Sequence, residues 1–123
     1  MSTLKVNALQ DTSGKGFYPA RAWLNFNGSG TISIRDDEGI SSISDNGTGE
    51  YSITYTNAWA AVDYSFTGTC GKSTTDSRNC GITFDDFSST PSTTVHDVVT
   101  RRRDNNTNLD TEFNMCQVTG ALG

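Results

Sequence analysis

The chain has 123 residues, 33% of them hydrophobic, and a formal net charge of −5. Single domains commonly run ~100–150 residues, so a second core has no room, and an acidic chain without clustered Lys and Arg is not a general nucleic-acid binder. No apolar run approaches the ~20 residues that span a bilayer and the N-terminus lacks a secretory pattern, so neither membrane insertion nor the usual export route is expected. The 12 Gly, with abundant Ser, Thr, Asn and Asp, suit short strands joined by turns better than helices. Six Phe, four Tyr and two Trp can supply a core.

Residues 1–20 stand apart from the rest. Leu4, Val6 and Leu9 are apolar, but DTSGKG follows at once and reads as a flexible tether. Leu4, Val6 and Ala8 suit a strand, whereas Leu4, Ala8 and Leu9 suit one face of a helical turn, and so short a pattern decides between neither. The segment is either a frayed terminus or an oligomerisation and attachment segment whose apolar groups contact sister copies. Tyr18-Pro19 then leads into the domain at 21–123, Pro being tolerated at a strand start.

From Arg21 to Tyr55 alternating runs are separated by turn clusters. Ala22, Leu24 and Phe26 share one face of a strand, and Trp23, Asn25 and Asn27 share the other. Asn27-Gly28-Ser29-Gly30 reverses the chain toward a strand at 31–35. Asp36-Asp37-Glu38-Gly39 is read as a solvated acidic turn, since the carboxylates lack the alternating spacing of a calcium loop. Ile40 and Ile43 bracket a weaker run. Asp45-Asn46-Gly47 is the strongest hairpin signal, with Gly49 as a bulge, before Tyr51, Ile53 and Tyr55 alternate again.

Further on, Val62, Tyr64 and Phe66 alternate with Asp63, Ser65 and Thr67 in a strand. Residues 68–81 read as an exposed polar loop, and Ile82 with Phe84 as a short strand broken by Ser88-Ser89-Thr90-Pro91-Ser92. The run 93–103 has apolar residues on both faces, which two-sided burial or a subunit contact would explain. Asp104 to Asn108 form a turn, and Phe113, Met115 and Gln117 alternate with Asn114, Cys116 and Val118 in a last strand. About eight strands and no helix give an all-β antiparallel β-sandwich with an extended N-terminal segment, in its jelly-roll form or otherwise; a small barrel is the alternative.

The segments R-A-W-L-N-F-N-G-S-G-T-I-S-I-R and S-S-I-S-D-N-G-T-G-E-Y, with the V-D-Y-S-F strand after them, resemble the core of a family of bacteriophage virion proteins. That family occurs in phages of marine bacteria and consists of tail-fibre or related appendage proteins. The opening LKVNALQDTSG is similar to the start of many of its members. Ala58-Trp59-Ala60-Ala61 stands where the family commonly has a Met-Pro pair, and the segment from Cys70 to Asp86 has no counterpart. The resemblance implies a structural virion protein assembled in the host bacterial cytoplasm, self-associating as a homotrimer and attached to other virion proteins. Leu4, Val6 and Leu9, the two-sided Val95 and Val99, and Arg102 are the interface residues expected of such an assembly, the Arg triplet either meeting carboxylates of a neighbouring chain or forming a solvated basic edge.

No signature of catalysis is present. His96, the one histidine, adjoins Asp97, but strand neighbours point to opposite faces, so a structural His96 is expected and not an enzyme. No cofactor or metal motif appears. The cysteines Cys70, Cys80 and Cys116 lack a zinc knuckle; they are read as buried or partly buried thiols, with one Cys70–Cys80 bridge as the other reading. The alternative function is recognition of host-surface glycan. Trp59, with Asn57 and Asp63 nearby and Lys72 and Arg78 in the 68–81 loop, would make the contact, unless Trp23 and Trp59 cover the sandwich edge or fill a subunit interface.

Overall fold

The computed structural model describes residues 2–5, 7, 9–16, 20–71, 80–84, 90–121 and 123. Its strands are β1 (Ala22–Asn27), β2 (Ser33–Glu38), β3 (Ile40–Gly47), β4 (Glu50–Tyr55), β5 (Ser65–Gly71), β6 (Cys80–Phe84), β7 (Val95–Arg102) and β8 (Phe113–Thr119), with no helix among the described residues. They form two antiparallel four-stranded sheets, ordered β2-β1-β8-β5 and β3-β4-β7-β6. The protein is therefore an antiparallel β-sandwich, and its sheets keep open edges and do not close into a barrel.

Period-two burial carries the sandwich. Ala22, Leu24 and Phe26 of β1 and Cys116 and Val118 of β8 meet Tyr51, Ile53 and Tyr55 of β4 and Val98 of β7 in one core. Burying a side chain such as Leu24 or Phe26 is worth about 1.5–3 kcal/mol, so these four strand faces fix the inward register. Aromatic contacts tie the sheets together, Phe26 standing edge-on to Tyr51 with centroids 5.0 Å apart. Asn114 is buried at the same level but satisfied, its side chain bonding to the Phe26 and Thr111 carbonyls and to the Thr111 hydroxyl.

The acidic stretch departs from expectation. Asp36, Asp37 and Glu38 are strand residues that pair with Asn25, Leu24 and Trp23, and the reversal is confined to Gly39. Gly39 has φ +72° and a Cβ there would stand 2.8 Å from the Arg21 carbonyl oxygen. It is the corner at which one edge ribbon passes from the first sheet into the second. Carboxylates along an exposed edge repel further strands, which explains why the sequence tolerates three of them there.

The hairpin also turns later than its Asn-Gly signal. Asn46 and Gly47 belong to β3, Gly47 pairs with Glu50, and the tip is Thr48-Gly49 with Gly49 at φ +68°. Tertiary contact has overridden local preference here. Gly49 donates to the Asp110 carboxylate at 2.8 Å and accepts from the Thr100 N–H at 2.8 Å, so the tip is anchored under β7 and the 104–112 connection. The next strand is displaced as well. Val62 is exposed and β5 begins only at Ser65, while residues 68–71, expected in a loop, extend the ladder against β8.

Run 93–103 is the two-sided strand its sequence suggested, and its burial is internal. His96, Val98 and Thr100 face the core, while Val99 on the opposite face is only 1% exposed within one chain. Glu50 and Thr83 flank it in register, and hydrogen bonds from Arg101 to Asn108 and from Asn108 to Glu50 run along the same face. The subunit contact expected of Val99 is thus corrected, because its own chain covers it. Arg102 likewise meets Asp104 of its own chain at 2.6 Å, where a neighbouring chain's carboxylate was expected. The DTSGKG stretch is a closed turn and not a loose tether. Gln10 pairs with Gly16, and the Asp11 carboxylate accepts from the Ser13 and Lys15 N–H groups, its pKa lowered chiefly by the Ser13 hydroxyl.

Candidate binding face

The outer face of the first sheet is where polar side chains belong and apolar ones stand. Register places Trp23 beside Gln117 and Gln117 beside Thr67; one step along, Asn25 lies beside Met115 and Met115 beside Thr69. Phe113 follows, opposite Gly71, which offers no side chain to cover it. Trp23 is 39% exposed, Met115 43% and Phe113 39%. Trp23 and Met115 line a shallow groove of about 620 Å³ along β1, β8 and β5, with Asn25, Gln117, Thr67 and Thr69 between the apolar groups, and Phe113 continues the apolar row beyond it on β8.

One end of this face is fixed by Arg35. Its guanidinium lies 4.3 Å from the centre of the Phe113 ring and donates to the Glu112 carbonyl and, at 3.5 Å, to Asn25 Oδ1. The position follows from a bulge between Asn25 and Phe26, which puts an additional residue into β2. Asp36 and Glu38, on the same edge strand and across from Asn25 and Trp23, give that rim a negative charge further along. A ring face, an unbranched thioether and interleaved amides and hydroxyls can hold a flat apolar or sugar-like surface. They offer no nucleophile paired with a base.

The residues expected to touch glycan are not brought together. Trp59 is only 3% exposed and belongs to the core, edge-on to Tyr55 at 5.3 Å and stacked on Tyr64 at 5.2 Å between centroids. Its ring also packs on Gly120, where a Cβ would stand 3.1 Å from Trp59 Cε3. Trp59 therefore closes one end of the sandwich with its ring facing inward, while Asn57 and Asp63 are exposed. Lys72 and Arg78 lie outside the described residues, as does Val6. Leu4 is 82% exposed, Leu9 is exposed and Val95 is half-buried.

His96 is buried against Phe66 at 4.7 Å and Tyr64 at 5.7 Å between ring centres, and burial lowers its pKa. Asp97 is on the other face of β7 and accepts from Ser52 Oγ at 2.5 Å. All three cysteines are free, and burial pushes the Cys116 thiol up to about 12. Met115 and Phe113 were the functional candidates that sequence reasoning passed over, whereas Trp23 reads as a cover for the sandwich edge or part of a subunit interface. Their signal was present as parity, apolar residues at alternate positions opposite the core-facing set of β1 and β8. Comparisons with family models, curated proteins and solved structures returned no match for this chain.

Proposed function

We propose that this chain is a non-enzymatic structural component of a bacteriophage virion, a fibre or head or tail appendage domain assembled in the bacterial cytoplasm. Its copies associate as a homotrimer through the outer face of the β2-β1-β8-β5 sheet, with the N-terminal segment adding contacts. The observation that carries this reading is the exposed band of Trp23, Met115 and Phe113, because contiguous apolar surface of this kind marks an interaction site. Exposed Leu4 and Leu9 support it, as does the resemblance of the 21–55 segment to phage appendage proteins. Sedimentation equilibrium tests it: a mass of three chains at micromolar concentration, reduced to one chain by Met115→Glu, is the supporting outcome. A single-chain mass for the unaltered protein rejects it.

A second reading has its own observation. Trp23 is flanked by Gln117 and Asn25, an exposed ring beside side-chain amides, and that grouping fits a neutral host-surface glycan. Saturable binding on a glycan array that is lost in Trp23→Ala, in a protein of single-chain mass, favours this reading over assembly.

A further inference from the structure

We propose that Cys70 and Cys80 are a thiol pair built to close into an intramolecular disulfide, a covalent staple across the corner between the two sheets. β5 is the outermost strand of one sheet and β6 of the other, and no backbone ladder joins them. They nevertheless pass closely in antiparallel sense. A Cβ on Gly68 would stand 2.8 Å from Ile82 Cγ2, which sets residue 68 opposite 82 and therefore 70 opposite 80. The contact is possible because position 68 has no side chain.

Parity then aims both thiols into the corner. Phe66, Gly68 and Cys70 alternate inward on β5, and Cys80 and Ile82 do so on β6. The Cys80 thiol donates to the Cys70 carbonyl oxygen at 3.2 Å, which brings the two residues into direct contact. Both are half-buried, so a small reagent reaches them and a bulky one does not. Cys116 is buried on β8 beside Gly68, one register step from Cys70, and stays out of the pair.

The oxidant is a small-molecule disulfide. The Cys80 thiolate attacks one of its sulfurs, breaking that S–S bond, releasing one small thiol and leaving a mixed disulfide. The Cys70 thiolate then attacks the Cys80 sulfur, forming the protein disulfide and releasing the second small thiol. The protein gives up two electrons and two protons, and the reagent takes both as two thiols. A chain assembled reduced would thus acquire its staple on reaching oxidising surroundings.

The full chain, folded in reductant and then held in excess oxidised glutathione, provides the test. The expected product has lost two hydrogens, carries no glutathione, keeps one titratable thiol after unfolding and yields a Cys70–Cys80 cross-linked peptide. Closing this short loop raises Tm by about 10 °C. Cys116→Ser should oxidise in the same way, and Cys70→Ser should stop at the glutathione adduct on Cys80 without the rise in Tm. Three free thiols at equilibrium, a stable adduct on the unaltered chain, or bonds to Cys116 or between chains would overturn the pairing.

Discussion

The hydroxyl of Tyr51 donates across the sandwich to the carbonyl of Gly28 at 3.0 Å, and a Cβ on residue 28 would stand 2.3 Å from that same oxygen. Close approach and hydrogen bond are therefore one feature, joining the end of β1 to the middle of the other sheet. Gly28→Ala should cost about 1–3 kcal/mol through overpacking, and Tyr51→Phe about 1 kcal/mol through the lost bond. The double variant should be more stable than the sum of these losses predicts, since removing the oxygen removes the nearest clash. Urea denaturation of all four proteins measures the coupling, and strict additivity would show that the two residues act independently.

Gly49 and Gly30 share nearly the same backbone conformation, φ +68° and +69°, in different surroundings. Nothing lies within 4 Å of a Cβ at 30, whereas at 49 it would meet the Thr100 carbonyl at 2.6 Å and Leu109 backbone atoms at 2.8 and 2.9 Å. Gly30→Ala should cost only the left-handed backbone penalty of about 1–2 kcal/mol. Gly49→Ala adds a clash with backbone that cannot step aside, so a loss of about 3 kcal/mol or more is expected. Equal losses at the two sites would mean the hairpin tip is not clamped as described.

Much of this architecture was legible from alternation alone. Ala22, Leu24 and Phe26, and Tyr51, Ile53 and Tyr55, are buried as their spacing requires, because a one-residue slip would expose a whole face. The failures fall where distant contacts outweigh local preference. Asn46-Gly47 is a good turn, yet Asp110 captures Gly49 from 61 residues away and moves the tip. Trp59 sits in a loop, where its sequence left open a sugar-stacking ring or a cover for the sandwich edge, and Tyr55, Tyr64 and Gly120 seat it as the cover. Val62 continued an alternating run that the ladder with β8 does not use.

Acid should loosen the core through His96. Burial lowers its pKa from the ordinary 6.5 and Asp97 offsets this only in part, so the folded protein binds its proton less readily than the unfolded chain does. The sign follows. The stability of the neutral form is whole above pH ~6.5 and declines as pH falls from there toward the folded pKa, by at most about 1.4 kcal/mol per pH unit. Because the chain has one histidine, its ring resonance can be followed by NMR without ambiguity. A midpoint below 6.5, with unfolding free energy falling between pH 7 and 5.5, is the expected outcome; a midpoint at or above 6.5 contradicts it.

The two tryptophans should separate structure from recognition. Trp59 is sealed between Tyr55 and Tyr64, so Trp59→Ala leaves a cavity in the end of the sandwich and should cost about 3–5 kcal/mol. Trp23 is 39% exposed on the outer face and should change stability by less than about 1 kcal/mol when replaced by Ala. What Trp23→Ala should lose is association, seen as a fall from three-chain to one-chain mass while circular dichroism and the urea midpoint stay near those of the unaltered protein. Met115→Glu and Phe113→Ser, on the same face, should reproduce that separation. If instead Trp23→Ala keeps the three-chain mass, or leaves the glycan binding of the unaltered protein unchanged in a single-chain protein, then Trp23 belongs to neither interface, and the exposed band is not the surface through which this protein works.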